Sequence, residues 1–395
     1  MPWKVSGPVN ERMEFIVAHQ RGLYSVTELC AAYGISRRVG YKWLSRYEAE
    51  GVTGLLDRSR APKHSPQRMD SALEDLLLDA RRAHPTWGAR KILSWLQGRH
   101  PELKEGLPAA STTGDLFRRH GLIEPRKRRR ARSFECAGAL RTEAPNDVWA
   151  ADFKGEFLLG NGRYCYPFTL TDTYTRYLLA CQGQPSTSLR GAQAGFLEAF
   201  RSFGLPQAIR TDNGTPFVGQ GASGLSTLSV WWIQLGIGHQ RIAKGRPDQN
   251  GRHERMHRTL KAEATMPPEA TEAKQQARFD GFRREFNEER PHEALNQRTP
   301  AAQYQNSPRP YPERIAPPEY PGHFERRKFN SVGGFKFRGL EIFVAQPLAG
   351  ETLGLVEIDN DVWSLRYYDH ELGRINSTTG TVNIKVIRAR LSVTP

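Results

Sequence analysis

Apolar residues recur every three to four positions along the first 60 residues, which is the spacing of amphipathic helices. One helix is predicted over Glu11–Gln20, a second over Val26–Tyr33 and a third over Arg37–Glu48. The second helix begins at the capping box Ser25–Glu28, and a glycine turn separates it from the third. Two short helices joined in this way are typical of a helix-turn-helix domain, predicted over residues 1–60; an ordinary helical hairpin is the alternative.

The third of these helices has the charges expected of a DNA-recognition helix. Four basic residues are predicted to face DNA, and these are Arg37, Arg38, Lys42 and Arg46. Its apolar face is predicted to consist of Tyr41, Trp43, Leu44 and Tyr47. Gly40 lies inside this helix, where a glycine costs about 1 kcal/mol relative to alanine.

A second helical domain is predicted over residues 66–124, as a helix-turn-helix or winged-helix unit. Its three helices are predicted at Leu73–Ala83, Trp87–Leu96 and Thr112–His120. A basic linker over residues 125–140 is predicted to follow. Its bases are expected to contact DNA phosphates, and these include Arg126, Lys127, Arg128, Arg129 and Arg130. A nuclear-localisation patch or a plain linker remains an alternative for this run.

From Asp147 onward the pattern changes to strands rich in aromatic and β-branched residues. Asn161-Gly162 marks a hairpin turn, and Leu189–Phe203 has the pattern of an amphipathic helix. Strands followed by alternating helices and strands predict an α/β domain over residues 141–307. After a proline-rich connection, residues 324–395 return to short strands and are predicted to form a small, SH3-like β-barrel.

The chain holds 57 basic and 42 acidic residues, and the excess is concentrated at the amino-terminal end. Residues 1–140 contain 25 basic and 15 acidic residues. Such a region attracts polyanions through counterion release, which favours nucleic acid as the partner over a charge that serves solubility alone. No run of 18 apolar residues is present, so a membrane-spanning helix is not expected. Four widely spaced cysteines and no secretory signal favour a reducing, cytoplasmic location.

Three acids occupy positions where a carboxylate is unusual. Asp152 lies inside an apolar strand, Asp212 follows a strand and precedes a turn, and Glu254 lies early in a helix predicted over 251–264. A half-buried carboxylate must be paired, protonated or bound to metal. Three that converge can hold two divalent cations about 3.5–4 Å apart. Asp172 has a similar strand–turn setting, which shows that the pattern alone is weak evidence.

Longer motifs make the pattern specific. The segments VWAADFKGEF, IRTDNGTPF and KGRPDQNGRHERMHRTLKAE, followed by FNEERPHEALNQRTPAAQY, resemble the catalytic core of DDE-type insertion-sequence transposases in the retroviral-integrase superfamily. The resemblance covers residues 145–305 and implies a ribonuclease-H-like fold. It implies that Asp152, Asp212 and Glu254 form the catalytic and metal-binding triad. The residues expected to support the turns beside it are Asn213, Gly214, Asn250 and Gly251.

The resemblance also implies the activity and its requirements. The expected reaction is cleavage and strand transfer of double-stranded DNA, both element ends and target, with two Mg²⁺ or Mn²⁺ ions as cofactors. A homo-oligomer on DNA and a bacterial, nucleoid-associated location are expected with it. The second and third acids are 42 residues apart, longer than is usual in the family, and the segment Gly219–Ser229 has the composition of an insertion.

The third motif contains a competing signature. His253-Glu254-Arg255-Met256-His257 satisfies the H-E-x-x-H pattern of zinc metallopeptidases. This alternative lacks a third ligand downstream and leaves the other two acids unexplained. In the transposase interpretation His253 is only a neighbour of Glu254 and is predicted to tolerate valine. Arg258 and Lys261 lie on the face of Glu254 and are expected to contact DNA.

A second alternative is a DNA-binding regulator with an inactive integrase-like core. All three acids are present, which disfavours this alternative, and a test of activity separates the two.

Overall fold

The computed structural model describes residues 7–58, 69–103, 105–123, 142–153, 155–219, 221, 223–243 and 247–384. Contacts divide the chain into two compact units, Met1–Met69 and Asp70–Pro395. The predicted basic linker, with Arg126 to Arg130, lies outside the described residues. No helix in the described ranges is long and apolar enough to cross a membrane.

The first unit contains the three predicted helices. They are α1 (Pro8–Gln20), α2 (Val26–Ala32) and α3 (Arg37–Glu50), and a 3₁₀ turn over Gly51–Leu55 follows. The side chain and backbone of Ser25 both bond Glu28, which confirms the capping box at the start of α2. A buried apolar cluster joins the helices and consists of Phe15, Ile16, Leu29, Cys30, Trp43, Leu44 and Leu55.

Two details of α3 differ from the prediction. A Cβ at Gly40 would meet the Cys30 Sγ at 2.5 Å, so the glycine allows α2 and α3 to approach closely. The intrinsic cost of this glycine therefore has a packing reason. Tyr41 is 59% exposed and does not belong to the apolar face, whereas Trp43 and Leu44 are buried as predicted. Tyr41 lies one helical turn after Arg37, on the open side of the helix.

The second unit begins with a three-helix module, consisting of α4 (Ser71–Ala83), α5 (Ala89–Arg99) and α6 (Ala110–Arg119). Its core includes Trp87, Ile92 and Leu116, all at 0% exposure. Arg99 pairs with Glu289 at 2.8 Å, and similar polar contacts from this module reach residues 263 to 297. The module is therefore docked against the end of the α/β domain.

A six-stranded sheet forms the centre of the second unit. Its strands are β1 (Val148–Phe153), β2 (Phe157–Leu158), β3 (Tyr164–Asp172), β4 (Leu178–Gln184), β5 (Ala208–Thr211) and β6 (Gly238–Arg241). The main order is β4-β3-β1-β5-β6, with β2 paired to the start of β3. The first three of these pair antiparallel and the last three pair parallel, which is the predicted mixed α/β sheet.

Four helices surround this sheet, namely α7 (Leu189–Phe203), α8 (Thr227–Gln234), α9 (Gly251–Ala264) and α10 (Glu272–Arg284). The bounds of α7 and α9 agree with the predicted helices. Helix α7 packs Phe196 and Phe200 against the sheet, and Trp149 of β1 lies in the same cluster at 0% exposure. The strand order and helix placement are those of the expected ribonuclease-H-like core.

The carboxy-terminal strands are β7 (Glu325–Lys328), β8 (Gly334–Phe337), β9 (Leu340–Phe343), β10 (Thr352–Asp359), β11 (Val362–Tyr367), β12 (His370–Asn376) and β13 (Val382–Ile384). The predicted small β-barrel is wrong for the residues described. Five strands form an open antiparallel sheet in the order β13-β12-β11-β10-β7, and β8 and β9 form a separate hairpin.

The physical reason is that another element covers the apolar face of this sheet. Leu225, Val230 and Ile233, in and before α8, share one buried cluster with residues of the carboxy-terminal strands. Gln234 of α8 also donates a hydrogen bond to the Tyr367 hydroxyl at 2.8 Å. Because α8 completes this core, the strands need not close on themselves. The segment predicted as an insertion, Gly219–Ser229, leads directly into this docking helix.

Candidate active site

The first two predicted acids lie at the ends of neighbouring strands. β1 and β5 are parallel, with Ala150 opposite Arg210. Continuing that register by two residues along both strands brings Asp152 level with Asp212, the residue after β5. Since side chains alternate between faces of a sheet, Asp152 lies on the same face of β1 as Ala150. The topology thus places the two acids at the carboxyl ends of neighbouring parallel strands.

The turn after β5 holds Asp212 in place. The Gly214 amide donates to the Asp212 Oδ1 at 3.0 Å. A Cβ on Gly214 would lie 3.0 Å from the Asp212 Oδ2, which is tighter than most side-chain contacts. Asn213 ties the turn to the next strand, because its amide donates to the Ile242 carbonyl at 2.8 Å and its oxygen accepts from Arg241 at 3.0 Å. Both predicted turn residues therefore support the carboxylate.

Glu254 reaches the same region from the first turn of α9. It is exposed, and it lines an open cleft together with Asp152. The other residues of the cleft are Phe153, Gly155, Gly251, Arg255, His257 and Arg258. Asn250 is buried at the start of α9, and Gly251 opens onto the cleft, where a Cβ would meet nothing within 4 Å. Asp152 and Glu254 thus share one cleft, whose lining residues do not include Asp212.

Both histidines of the H-E-x-x-H signature are buried beneath this cleft, at 1% exposure for His253 and 5% for His257. The Thr169 hydroxyl lies 3.1 Å from the Asp152 carbonyl oxygen and 2.8 and 2.7 Å from the Nε2 atoms of His253 and His257. The Nδ1 of His253 lies 2.7 Å from the Thr171 hydroxyl. His253 is therefore the centre of a buried polar network. The sequence interpretation, in which it is only a neighbour of Glu254, misses this role.

The same network reaches the first acid. The Nδ1 of His257 lies 3.8 Å from the Asp152 Oδ2. The His257 ring therefore contacts Thr169 through one nitrogen and faces the Asp152 carboxylate with the other. Asp152, His253 and His257 form the one group of three potential metal ligands in the described chain whose donor atoms all lie within 4.8 Å.

The zinc-peptidase alternative fits this arrangement poorly. Both ring nitrogens of His253 are occupied by threonine hydroxyls, and zinc would have to displace at least one of them. Burial, and secondarily the neighbouring His257, lowers the pKa of His253 well below its ordinary value, so this ring is neutral near pH 7. The H-E-x-x-H spacing is explained by two histidines on one helix face meeting Thr169 and Thr171, which share one face of β3.

Asp172 serves the structure of a turn. Its side chain accepts hydrogen bonds from the amide of Asn146 at 2.8 Å and from the amide and hydroxyl of Thr175, both at 2.7 Å. It is at 0% exposure, and burial raises its pKa. A carboxylate with its oxygens bonded within the protein has little capacity left for a ligand.

The predicted DNA-contacting residues of the described chain fall into three situations. Arg258 and Lys261 are exposed on α9, and Arg258 lines the cleft. Arg37 and Arg38 are exposed at the start of α3. Lys42 and Arg46 instead lie over the Trp43 ring, at 4.1 and 5.1 Å from its centroid, and Arg12 covers the same ring at 4.0 Å.

Comparison with known proteins agrees with this architecture. Two models of the integrase core domain match residues 142–247 and 235–300. A helix-turn-helix domain model matches residues 11–63, and a homeodomain-like domain model matches residues 39–114.

Relatives are found among insertion elements. The 31.7 kDa protein of insertion element IS407 from Burkholderia multivorans is 27% identical over 251 residues, which are 62% of this chain and 84% of that protein. The 39.2 kDa protein of insertion element IS476 from Xanthomonas euvesicatoria is 27% identical over 299 residues, 74% of this chain and 81% of that protein. Among solved structures, the HTLV-2 integrase catalytic core domain in complex with magnesium is 16% identical and aligns with a TM-score of 0.34, over 42% of this chain and all of that one.

Residues 142–300 therefore match the integrase core domain, and such domains transfer polynucleotide strands. The resemblance of the chain to insertion-sequence transposases of the retroviral-integrase superfamily is confirmed. Its helix-turn-helix modules are DNA-binding modules.

Sequence reasoning missed the residues that surround the three acids. Thr169 and Thr171 alternate along β3 and meet the two histidines, and Arg255 lines the cleft beside Arg258. Threonine alternation in a strand is common, so it carried no signal by itself. The H-E-x-x-H spacing was visible, but its partners on β3 are more than 80 residues away in sequence.

Proposed function

We propose that this protein is a transposase that binds the ends of an insertion element and carries out metal-dependent cleavage and strand transfer of DNA. The observation that carries the proposal is the parallel register of β1 and β5, which aligns Asp152 with Asp212. Glu254, in the cleft that Asp152 lines, supplies the third carboxylate. Three acids from two strands and one helix suit a reaction on phosphate esters.

We assign Asp152, Asp212 and Glu254 as the ligands of two divalent cations, Mg²⁺ or Mn²⁺. The donor set fits, since all three offer carboxylate oxygens, which hard cations prefer. The Asp152 side chain keeps 22% of its surface exposed and is within reach of a ligand. When bound, the cations supply activation of the attacking oxygen and neutralisation of the leaving oxygen of a phosphodiester.

The basic residues of α9 and His257 are proposed to bind the DNA and to orient the Asp152 carboxylate. Arg258 and Lys261 follow Glu254 on the exposed side of α9, where their charges can bind phosphates of the strand being cut. His257 is a positioning residue, because Thr169 fixes its ring and its Nδ1 faces the Asp152 carboxylate. Two element ends must be joined to one target, so we propose a homo-oligomer on DNA as the active form.

The test uses the full-length protein, a duplex that carries the terminal inverted repeat of the element, and a target plasmid with Mg²⁺ or Mn²⁺. We expect Asp212→Asn and Glu254→Gln to reduce joined product at least about a hundredfold, because each removes charge stabilisation of the transition state. Both variants should bind the element end as the wild type does. Undiminished product formation by either variant contradicts the triad.

A wild-type protein that binds element ends but forms no cleaved or joined product with either metal would support the regulator alternative instead. One equivalent of tightly bound zinc, lost together with activity on changing His253, would support the peptidase alternative.

A second test concerns end recognition, which we assign to α3. Replacing Arg37 and Arg38 by alanine should remove the preference for element ends, at about 1–3 kcal/mol for each lost base contact. Neutralising the basic residues 126–132 should instead weaken binding to every DNA sequence and flatten its dependence on salt. Equal losses of specific and non-specific binding in both variants would contradict this division.

A further inference from the structure

A second cavity lies on the other side of α9 from the predicted triad. It encloses about 550 Å³, part of it open to solvent, and is bounded by α5, the end of β3 and the segment after α10. Its wall includes five lysine and arginine side chains and one histidine, namely Lys91, Arg176, Arg252, Arg255, Arg290 and His292. Asp172 is the one acid in this wall, and we call the space the basic cavity.

Like charges are held close together in the basic cavity. The Nη1 of Arg176 donates to the Thr173 carbonyl at 2.7 Å, and the Nη1 of Arg252 donates to the same oxygen at 3.0 Å. The two guanidinium nitrogens therefore lie less than about 6 Å apart, where their charges repel strongly in a partly buried site. An anion between them would remove this repulsion.

The nearby acids do not balance these cations. Asp172 already accepts three hydrogen bonds from the amides of Asn146 and Thr175 and the Thr175 hydroxyl. Glu263 forms an ion pair with Arg290 and, together with Glu293, also faces Lys91. The wall holds five lysine and arginine side chains against three nearby acids, Asp172, Glu263 and Glu293, and this excess of positive charge favours an anionic ligand.

The protonation equilibria of the wall agree with this excess. Burial, and then the charge of Arg290, lowers the pKa of Lys91 to about 8, and burial followed by Arg252 lowers the pKa of Arg176 to about 10. His292 is neutral at pH 7, because burial lowers its pKa to about 3. Its Nε2 is buried and has no hydrogen-bond partner among the described residues.

We propose that the basic cavity binds a phosphate group of the DNA backbone. Arg255 lines both this cavity and the cleft of Asp152 and Glu254, so one strand could contact both. Several arginine and lysine side chains that line one cavity suit a phosphate oxyanion. The assignment of the phosphate to DNA rests on the proposed function, whereas the anion site itself does not.

The first test measures thermal unfolding of the full-length protein in chloride and in inorganic phosphate at equal ionic strength. Phosphate should raise the melting temperature of the wild type by binding the folded state. In chloride, Lys91→Met should have a higher melting temperature than the wild type, because the change removes the repulsion between Lys91 and the neighbouring arginines. The variant should also bind phosphate at least about tenfold more weakly. Arg90→Gln is the matched control, since Arg90 precedes Lys91 on α5 and its side chain is 73% exposed.

The second test measures binding of an unrelated DNA duplex over a range of salt in EDTA, so that no catalysis is needed. The slope of log K against log salt is negative, and its magnitude counts the phosphate contacts. If DNA supplies the phosphate, Lys91→Met should make this slope shallower by about 0.9, and Arg90→Gln should change it less. An unchanged slope, with the phosphate response lost, would show that a free phosphate compound is the ligand and overturn the DNA assignment. A wild type that does not respond to phosphate would overturn the anion site, whether or not strand transfer is observed.

Discussion

Two aspartates on paired strands show how one residue type is used in opposite ways. β1 and β3 are antiparallel neighbours, with Asp152 in the first and Asp172 at the end of the second. Asp172 is completely buried, and its carboxylate accepts three hydrogen bonds from the protein. Asp152 keeps 22% of its side chain exposed at a cleft, and the neighbouring ring nitrogen of His257 stands 3.8 Å away.

The difference lies in what surrounds each carboxylate. Around Asp172 the following turn supplies the amide and hydroxyl of Thr175, and the segment before β1 supplies the amide of Asn146. Asp152 lies near the end of β1 at a cleft, and the neighbouring parallel strand leads to a second acid, Asp212, at the same edge of the sheet. A completely buried carboxylate that is bonded within the protein stabilises a fold, whereas a partly exposed carboxylate at a cleft is suited to bind cations.

The largest expected effect comes from exchanging Asp152 for asparagine. Asp152→Asn removes one negative charge from the proposed metal site, so strand transfer per folded molecule should fall at least about a hundredfold. The free energy of unfolding should fall less than in Asp172→Asn, because Asp152 keeps 22% of its side chain exposed and Asp172 keeps none. Product formation on element-end DNA and urea unfolding measure the two quantities. A variant with normal activity, or one that fails to fold, would erase the contrast with Asp172.

Asp172→Asn should show the reverse pattern. An amide nitrogen would replace one oxygen and face the N–H of Asn146 or Thr175, which leaves buried donors unpaired. We expect the free energy of unfolding to fall by about 1–3 kcal/mol, with strand transfer by the remaining folded protein retained. Urea unfolding followed by circular dichroism gives the first value. Loss of activity without loss of stability would place Asp172 in the catalytic machinery and contradict the comparison.

His253→Val tests the network beneath Asp152. Valine occupies the space but leaves the Thr171 hydroxyl without the ring nitrogen that it contacts at 2.7 Å. We expect a loss of about 1–2 kcal/mol in the free energy of unfolding, and retained strand transfer when the protein is folded. Metal analysis of the purified wild type should find no stoichiometric zinc. An unchanged free energy of unfolding would show that the hydrogen bonds of His253 do not stabilise the fold and that it is only a sequence neighbour of Glu254.

The smallest effect should come from Thr175→Val. This change removes one of three donors to Asp172 and keeps the Thr175 amide bond at 2.7 Å. We expect a loss of about 1 kcal/mol in the free energy of unfolding and no change in strand transfer. A loss as large as that of Asp172→Asn would mean that the hydroxyl alone secures the turn.

Much of this protein was readable from sequence because the signals are local. Helices α1 to α7 and α9 are specified by apolar spacing and by caps such as Ser25, Ser36 and Ser188, whose side chains bond amides three residues away. The three acids stand out for the same reason, since each breaks the pattern of its own segment. The motifs around them were sufficient to indicate an integrase core, which the comparisons confirm.

Tertiary structure decided what depends on contacts between distant segments. Gly40 costs helix stability locally, and only the approach of Cys30 explains it. The carboxy-terminal strands have the pattern of a barrel, and they remain an open sheet because α8, about a hundred residues earlier, covers their apolar face. The partners of His253 lie on β3, 82 and 84 residues away in sequence. Sequence by itself determined which segments form helices or strands and which acids are unusual, since those properties follow from neighbours along the chain. The folded chain decided which acid is completely buried and which reaches a cleft, because burial and hydrogen-bond donors reach a carboxylate through space.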